Sequence, residues 1–322
     1  MVRVPVPPTT VPPAPQGRTA RRLSWAHLPP SVRAEVERRL GSEVVSAQSQ
    51  DAGFTPGLAS ILTCADGSSV FLKAASLVAQ RAFAESYHEE AQKLSFLPDG
   101  VPAPRLLWTF TRADWVVLGL EHVVGRMPQR PWDDDELDQC LELLTQVADS
   151  LTPAPPGPWS TFAEETAAWP ACWEHVAAHH RHLVGPYAEE AAALARAAAD
   201  ASAGDTVVHC DVRDDNLLLA DDGRVLLCDW NWPVVGARWV DALLLLVIAR
   251  GDGVDTERIV ASHRLFSDAD ADAVDAVLAL ATGYFLRSSD HPAPTSSPFV
   301  RDHQLWCGEV AWDWLATRRG WR

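Results

Sequence analysis

Lysine is almost missing from this 322-residue chain. Only two of its 27 basic residues are lysine, Lys73 and Lys93, and arginine supplies the rest. A compact ammonium group and a planar guanidinium differ in what they bind, so a lysine kept in such a chain is a candidate for a specific role. These two lysines are therefore the first candidates for a functional cation.

Positive charge as a whole is also scarce. The chain has 43 acidic residues against 27 basic ones, which gives a formal net charge of −16. A general nucleic-acid binder needs a basic surface to neutralise phosphates, and docking on anionic lipid needs one too. The composition therefore predicts neither nucleic acid nor membrane as a partner.

Cysteine pairs and long apolar runs are missing as well. The six cysteines include no CxxC pair, and no apolar run reaches the roughly 18 residues of a membrane span. The N-terminus, MVRVPVPPTTVPPAP, lacks the apolar segment of a secretory signal. These features predict a cytoplasmic protein with reduced thiols.

The rest of the sequence indicates an α+β chain in three parts. Residues 1–22 are rich in proline and arginine and are predicted to be a disordered tail. Residues 23–124 show a short helix over 31–40, alternating apolar runs with an Asp66-Gly67 turn, and a helix over 77–97. Residues 125–322 are mainly helical, with helices predicted over 132–151, 161–184 and 187–201 and one short β segment.

The helix predicted over 77–97 carries an acid in an unusual position. At 100° per residue, Phe83, Tyr87 and Leu94 share one face, and Glu90 lies in the middle of that face. A carboxylate centred on an apolar stripe is costly unless it has a partner. Glu90 is therefore predicted to pair with a cation.

The β segment within the helical part contains most of the candidate chemistry. Strand-like runs flank Asp222-Gly223, and a two-residue loop there would place Asn216 opposite Asp229. Asp211 lies five residues before Asn216, so three oxygen-bearing side chains would converge, as a hard cation such as Mg²⁺ requires. A metallohydrolase using His209 is an alternative, but it needs further His or Cys ligands, and no second histidine lies near this segment.

This segment resembles the catalytic loop and metal-binding Asp of the protein-kinase-like superfamily. The matching residues are His209-Cys-Asp-Val-Arg-Asp-Asp-Asn216, followed by Asp229-Trp230 and Asp241. The form is closest to aminoglycoside phosphotransferases and their choline, homoserine and fructosamine kinase relatives. The resemblance extends over about residues 44–320. It implies a bilobal fold with a small N-terminal antiparallel sheet, one helix beside it and a larger helical C-terminal lobe.

The resemblance also implies a role for each matching residue. Asp211 would accept the proton of the substrate hydroxyl, with His209 supporting the loop, and Asn216 and Asp229 would hold Mg²⁺. Arg213 would offset phosphoryl charge, or would form a salt bridge to Asp214 or Asp215. Further matches are Lys73 with Glu90 at the phosphates, Gly53 and Gly57 in the phosphate-covering loop, and Glu121 and Val123 at the purine. Asp241 would order the catalytic loop.

The implied activity is transfer of the γ-phosphoryl group of ATP, or of GTP, to a hydroxyl of a small molecule. An aminoglycoside, another antibiotic or a metabolite is a possible acceptor, and a peptide Ser/Thr kinase and a nucleotide-binding scaffold without activity are alternatives. Acids at 133–136, 164–165 and 268–275 could contact an amine, or could simply begin helices. An aromatic acceptor pocket could use Trp159, Trp169, Trp173, Trp306, Trp312 and Trp314, or these could be core residues. The sequence does not indicate an oligomeric state.

Overall fold

The N-terminal lobe is built on a five-stranded antiparallel sheet. The computed structural model describes residues 2–321. The sheet has the order β1–β2–β3–β5–β4, and its strands are β1 (Val44–Ser49), β2 (Leu58–Cys64), β3 (Ser69–Ser76), β4 (Leu106–Arg112) and β5 (Trp115–Glu121). The turn between β2 and β3 contains Gly67 at φ +86°, a conformation that favours glycine. The hairpin predicted at Asp66-Gly67 is confirmed.

Two helices pack on opposite faces of this sheet, α1 (Pro30–Leu40) and α2 (Arg81–Phe96). Successive side chains of a strand face opposite sides. In β3, Leu72 and Ala74 lie in the core with α1, whereas Ala75 lies in the core with α2. This alternation brings Lys73 to the α2 side of the sheet, where Glu90 lies.

The second lobe is mainly helical, and the predicted bilobal α+β class is confirmed. Its helices are α3 (Asp134–Ser150), α4 (Phe162–Glu165), α5 (Cys172–His179), α6 (Arg181–Val184), α7 (Ala188–Ala201), α8 (Val240–Gly251), α9 (Thr256–Ser262), α10 (Ala271–Ser289) and α11 (Val300–Arg319). Its core is centred on α7, α8, α10 and α11. None of the helices found in residues 2–321 is long and apolar enough to span a membrane.

Two small sheets in this lobe position the catalytic segment. One has the order β10–β9–β6 and the other β7–β11–β8, and their strands are β6 (Gly125–Arg126), β7 (Ser160–Thr161), β8 (Thr206–Val208), β9 (Leu217–Ala220), β10 (Val225–Leu227) and β11 (Val234–Gly236). The loop that joins β8 to β9 therefore connects the two sheets. It holds residues 209–216.

Two predictions differ from the structure. The helix predicted over 161–184 is divided into α4, α5 and α6, and Pro170 lies in a separate short turn, Trp169–Ala171, because proline lacks the amide that a continuous helix needs. Residues 2–22 are extended along the second lobe and are not a free tail. The amide of Val4 donates to the carbonyl of Gly253 at 2.8 Å, and the amide of Thr10 donates to Glu309 at 2.8 Å.

Candidate active site

Asp241, in the first turn of α8, shapes the catalytic loop. Its carboxylate accepts the backbone amides of His209 at 2.7 Å and of Cys210 at 2.8 Å. Cys210 has φ +61°, a conformation that costs energy in a residue other than glycine and needs such support. His209 is fully buried, its Nε2 lies 2.9 Å from the Cys228 carbonyl, and burial lowers its pKa. These contacts fit the loop-supporting role expected for His209.

Asp211 is held by its own loop. The Asn216 side-chain amide donates to the Asp211 carbonyl at 2.8 Å and to its Oδ2 at 3.2 Å. Arg213 donates to the other carboxylate oxygen. Burial raises the pKa of Asp211 to about 6, although the Arg213 guanidinium acts in the opposite direction. A fixed carboxylate with a raised pKa is suited to accept a proton.

Arg213 lies between two carboxylates. Besides Asp211, it contacts Asp215, with Nε 2.8 Å from Oδ1. Of the two salt bridges considered from the sequence, the structure therefore has the one to Asp215, whereas Asp214 faces Arg130 at 3.8 Å. The guanidinium also lies 5.4 Å from the centre of the Phe54 ring. A role for Arg213 toward phosphoryl charge stays a prediction.

The hairpin that follows this loop has a different register from the predicted one. Leu217 pairs with Leu227, and the amide of Cys228 donates to the carbonyl of Asn216 at 2.8 Å. Asn216 therefore faces Cys228, so the pairing of Asn216 with Asp229 was wrong by one residue. The cause is a three-residue loop, 221–223, in which Gly223 has φ +87°.

Lys73 joins the two lobes through a buried ionic cluster. Its Nζ lies 2.7 and 2.9 Å from the two carboxylate oxygens of Glu90 and 2.5 Å from Oδ1 of Asp229. Burial alone would lower the pKa of Lys73, but the charges of Asp229 and Glu90 raise it above its ordinary value. Burial raises the pKa of Glu90 to about 7 against the opposing effect of Lys73. The structure thus gives Glu90 the cationic partner expected from its position on the helix.

Asn216 and Asp229 each offer one oxygen to a hard cation. Asn216 uses its amide nitrogen on Asp211, and Oδ1 of Asp229 accepts from Lys73 and from Asn231 at 2.6 Å. The hydrogen bonds found within residues 2–321 use the Asn216 amide nitrogen and Oδ1 of Asp229, and none of them uses the Asn216 amide oxygen or Oδ2 of Asp229. Both residues line the same cavity. Carbonyl and carboxylate oxygens are the ligands Mg²⁺ prefers, so this donor set fits that ion.

This first cavity, of about 220 Å³, lies between the lobes. Its lining includes Lys73 and Asp229, and also Glu121, Val123 and Leu217. The Glu121 amide already donates to the Arg105 carbonyl at 2.8 Å. In residues 2–321 the Val123 amide has no backbone acceptor, which leaves it as a donor for a purine edge.

The loop of residues 51–57 covers the first cavity. Gly53 has φ +84°, and a Cβ at Gly57 would lie 2.7 Å from the Tyr87 hydroxyl. Both positions therefore require glycine, for conformation in one case and for space in the other. Gly53 also lies beside the catalytic loop, because a Cβ there would be 3.8 Å from Asp215.

A second cavity, of about 500 Å³, lies on the other side of the catalytic loop. Cys210, Asp211, Val212 and Arg213 line it, and Phe54 lines both cavities. Asp211 therefore lies at the second cavity, while Asn216 and Asp229 line the first. This arrangement can hold a phosphoryl donor and an acceptor on the two sides of one loop.

Residues 61–277 match the protein-family model described as the phosphotransferase enzyme family. The chain belongs to this family. It is accordingly a small-molecule phosphotransferase with a hydroxyl group as acceptor, as predicted from the catalytic segment. No curated protein sequence matches the chain significantly.

Several solved structures share the fold of this chain. A thermostable mutant of aminoglycoside phosphotransferase APH(4)-Ia, solved with ADP and hygromycin B, has a TM-score of 0.61 at 15% identity, covering 89% of this chain and 98% of that one. Choline kinase LicA from Streptococcus pneumoniae has a TM-score of 0.57 at 14% identity, and the match covers 87% of this chain and 98% of that one. Macrolide 2'-phosphotransferase MphH from Brachybacterium faecium has a TM-score of 0.52 at 12% identity, and the match covers 86% of this chain and 96% of that one.

The N-terminal segment of this phosphotransferase contributes a residue that the sequence did not indicate. Arg22 donates to the carbonyls of Thr55 at 2.6 Å and of Ala52 at 2.5 Å, and Thr19 donates to that of Gly53 at 2.6 Å. These contacts fix the loop over the first cavity. No local motif marks Arg22, because its partners lie about 30 residues away along the chain.

Replacing Arg22 with alanine is expected to raise the KM for nucleotide about tenfold with little change in kcat. The loop would lose two charge-assisted hydrogen bonds, each of which contributes about 1.5–3 kcal/mol. It would then sample open conformations. Arg21→Ala is the matched control, because the Arg21 side chain is exposed and only its backbone amide is bound, to Ser296. Equal KM values for the two variants, measured by steady-state kinetics, would contradict this role.

Lys93, the other lysine of this phosphotransferase, donates to the Asn231 carbonyl at 2.6 Å and so holds the segment after Asp229. It does not line either cavity. In the second lobe, Nε2 of His175 and of His180 lie 2.6 and 3.0 Å from one oxygen of Asp290, which joins α5 to the end of α10.

Proposed function

We propose that this phosphotransferase moves the γ-phosphoryl group of ATP, or of GTP, to a hydroxyl of a small molecule bound in the second cavity. One observation carries the proposal: Lys73, Asn216 and Asp229 line one cavity, and Asp211 lines the adjoining one. Phosphoryl transfer requires mainly positioning and charge neutralisation from a protein. The two cavities supply these on either side of the catalytic loop.

In the proposed reaction the acceptor oxygen forms a bond to the γ-phosphorus, and the bond between the γ-phosphorus and the β–γ bridging oxygen breaks. The hydroxyl proton passes to the carboxylate of Asp211, and the nucleoside diphosphate leaves. Asn216 and Asp229 would hold Mg²⁺, which when bound neutralises phosphate charge. Lys73, fixed by Glu90, would contact the phosphates, and the Val123 amide and the Glu121 carbonyl would face the purine.

The deciding experiment is incubation with Mg·ATP or Mg·GTP and a panel of hydroxyl compounds, followed by mass spectrometry for an added phosphoryl group. The proposal is supported if a product forms with wild-type enzyme and not with Asp211→Asn. Magnesium-dependent nucleotide binding with no product from any acceptor would favour the scaffold alternative.

The six cysteines are free, and we expect this reaction to take place in the cytoplasm.

The cation-binding pair has its own test. Asn216→Ala and Asp229→Asn are each expected to raise the Mg²⁺ concentration for half-maximal activity by about tenfold or more, since the first removes an oxygen ligand and the second replaces a charged carboxylate with a neutral amide. A titration of activity against free Mg²⁺ measures this shift. Asp221→Asn, in the exposed hairpin loop, is the control and should leave the titration unchanged. Unaltered Mg²⁺ dependence in both variants would show that the metal is held elsewhere.

A further inference from the structure

The walls of the second cavity are mostly hydrocarbon. Trp169 and Tyr284 stack with ring centroids 4.0 Å apart and form one side. The other apolar residues come from α4, from α8 and from α10 onward, and are Phe162, Leu244, Val247, Ile248, Val277, Leu280, Ala281, Phe285 and Val300. Of the tryptophans considered from the sequence, only Trp169 lines this cavity, while Trp173, Trp306, Trp312 and Trp314 are buried in the core. Trp232, half exposed, completes its edge.

Few charges face this cavity. Arg213 is neutralised by Asp211 and Asp215, and Asp211 is occupied by its role at the reacting hydroxyl. His303 is buried, and burial lowers its pKa to about 3, so it is neutral. Glu165 is the one further carboxylate among the lining residues, and it is exposed.

Apart from Glu165, the acidic runs noted in the sequence do not line the second cavity. Asp133 and Asp270, from the acidic runs noted in the sequence, accept backbone amides at the beginnings of α3 and α10. Asp275 pairs with Arg318 and Arg319. These acids stabilise helices and salt bridges, so the net charge of the protein does not indicate a cationic acceptor.

We propose that the acceptor is a largely apolar molecule that carries a hydroxyl group and at most one ammonium group, which Glu165 would pair. This inference rests on the proposed function, because it describes the occupant of the same cavity. A polycationic aminocyclitol would have to lose hydration at several charges against hydrocarbon walls, and an uncompensated charge in such surroundings is strongly unfavourable. An apolar body would gain from the same walls.

The test compares acceptors and a reporter of binding. N-phenyl-1-naphthylamine, a neutral apolar fluorophore, is expected to bind wild-type protein and to bind Trp169→Ala about tenfold more weakly. Erythromycin, apolar with a single tertiary amine, should displace it, and kanamycin, a polycation, should not. With Mg·ATP, transfer to erythromycin or to a neutral apolar alcohol should exceed transfer to kanamycin.

Glu165→Gln refines the test without disturbing the fold, because Glu165 is exposed. It should raise the KM for a monoamine acceptor about two- to fivefold, as expected for an exposed ion pair, and should change the KM for a neutral acceptor less. Glu174→Gln, an exposed acid on α5, is the control. Failure of the fluorophore to bind, its displacement by kanamycin, or preferential phosphorylation of kanamycin would each overturn the inference while leaving the phosphotransferase proposal intact. If the fluorophore and erythromycin bind as expected but nothing is phosphorylated, the proposed reaction fails and the apolar character of the cavity stands.

Discussion

Asp211→Asn is expected to lower the rate of phosphoryl transfer by about 10²–10⁴-fold while nucleotide affinity stays near that of the wild type. Asparagine has nearly the same shape and can still accept the Asn216 amide, but it cannot take the hydroxyl proton. Arg213 would keep its contact with Asp215, so the loop should remain folded. Single-turnover rates and nucleotide titration measure the two quantities separately.

Two results would contradict this role for Asp211. One is a transfer rate close to that of the wild type. The other is an equal loss of nucleotide affinity and rate, which would make Asp211 a structural residue of the first cavity. An unchanged melting temperature is the accompanying check, and Asp221→Asn, which leaves the site untouched, is the control.

Lys73→Met is expected to destabilise the protein by about 3–5 kcal/mol and to abolish nucleotide binding. The substitution leaves Glu90 and Asp229 as neighbouring carboxylates in a buried site with no cation between them, and uncompensated buried charge is strongly destabilising. Chemical denaturation measures the change in the free energy of unfolding. Lys93→Met, which removes the only other lysine and one hydrogen bond to a carbonyl, should cost about 1 kcal/mol.

A second variant separates stability from function at this cluster. In Lys73→Met combined with Glu90→Gln, one of the two carboxylates left without a cation is replaced by a neutral amide, so much of the lost stability should return. Nucleotide binding should not return, because the ammonium that would contact the phosphates is still missing. Recovery of binding along with stability would show that Lys73 serves the fold alone.

The sequence could predict a structural feature when the residues that determine it lie close together along the chain. Glu90 was identified because the helical period alone placed a carboxylate on an apolar face, whereas Lys73 was named as its partner only through the family resemblance. The register of the β9–β10 hairpin was missed by one residue, since Asp222-Gly223 fits both a two-residue loop and a three-residue loop ending in Gly223. Local sequence does not distinguish them.

Contacts between distant segments were beyond the sequence. Arg22 has no neighbouring motif, and its hydrogen bonds to Ala52 and Thr55 form because the fold brings residues 19–22 against the loop of residues 51–57. The apolar second cavity is likewise assembled from α4, α8, α10 and α11. Each of these segments reads as an ordinary packing helix on its own, so only the fold shows that some of their side chains face a cavity.

Phe54 connects the loop over the first cavity to the opposite lobe. Its carbonyl accepts the Ser297 hydroxyl, and its ring lies 5.0 Å from that of His303. If nucleotide is exchanged by movement of this loop, contacts that border the acceptor cavity would break at the same time. Release of the diphosphate and entry of the next acceptor would then be coupled, and loop opening could limit the turnover rate in place of the chemical step.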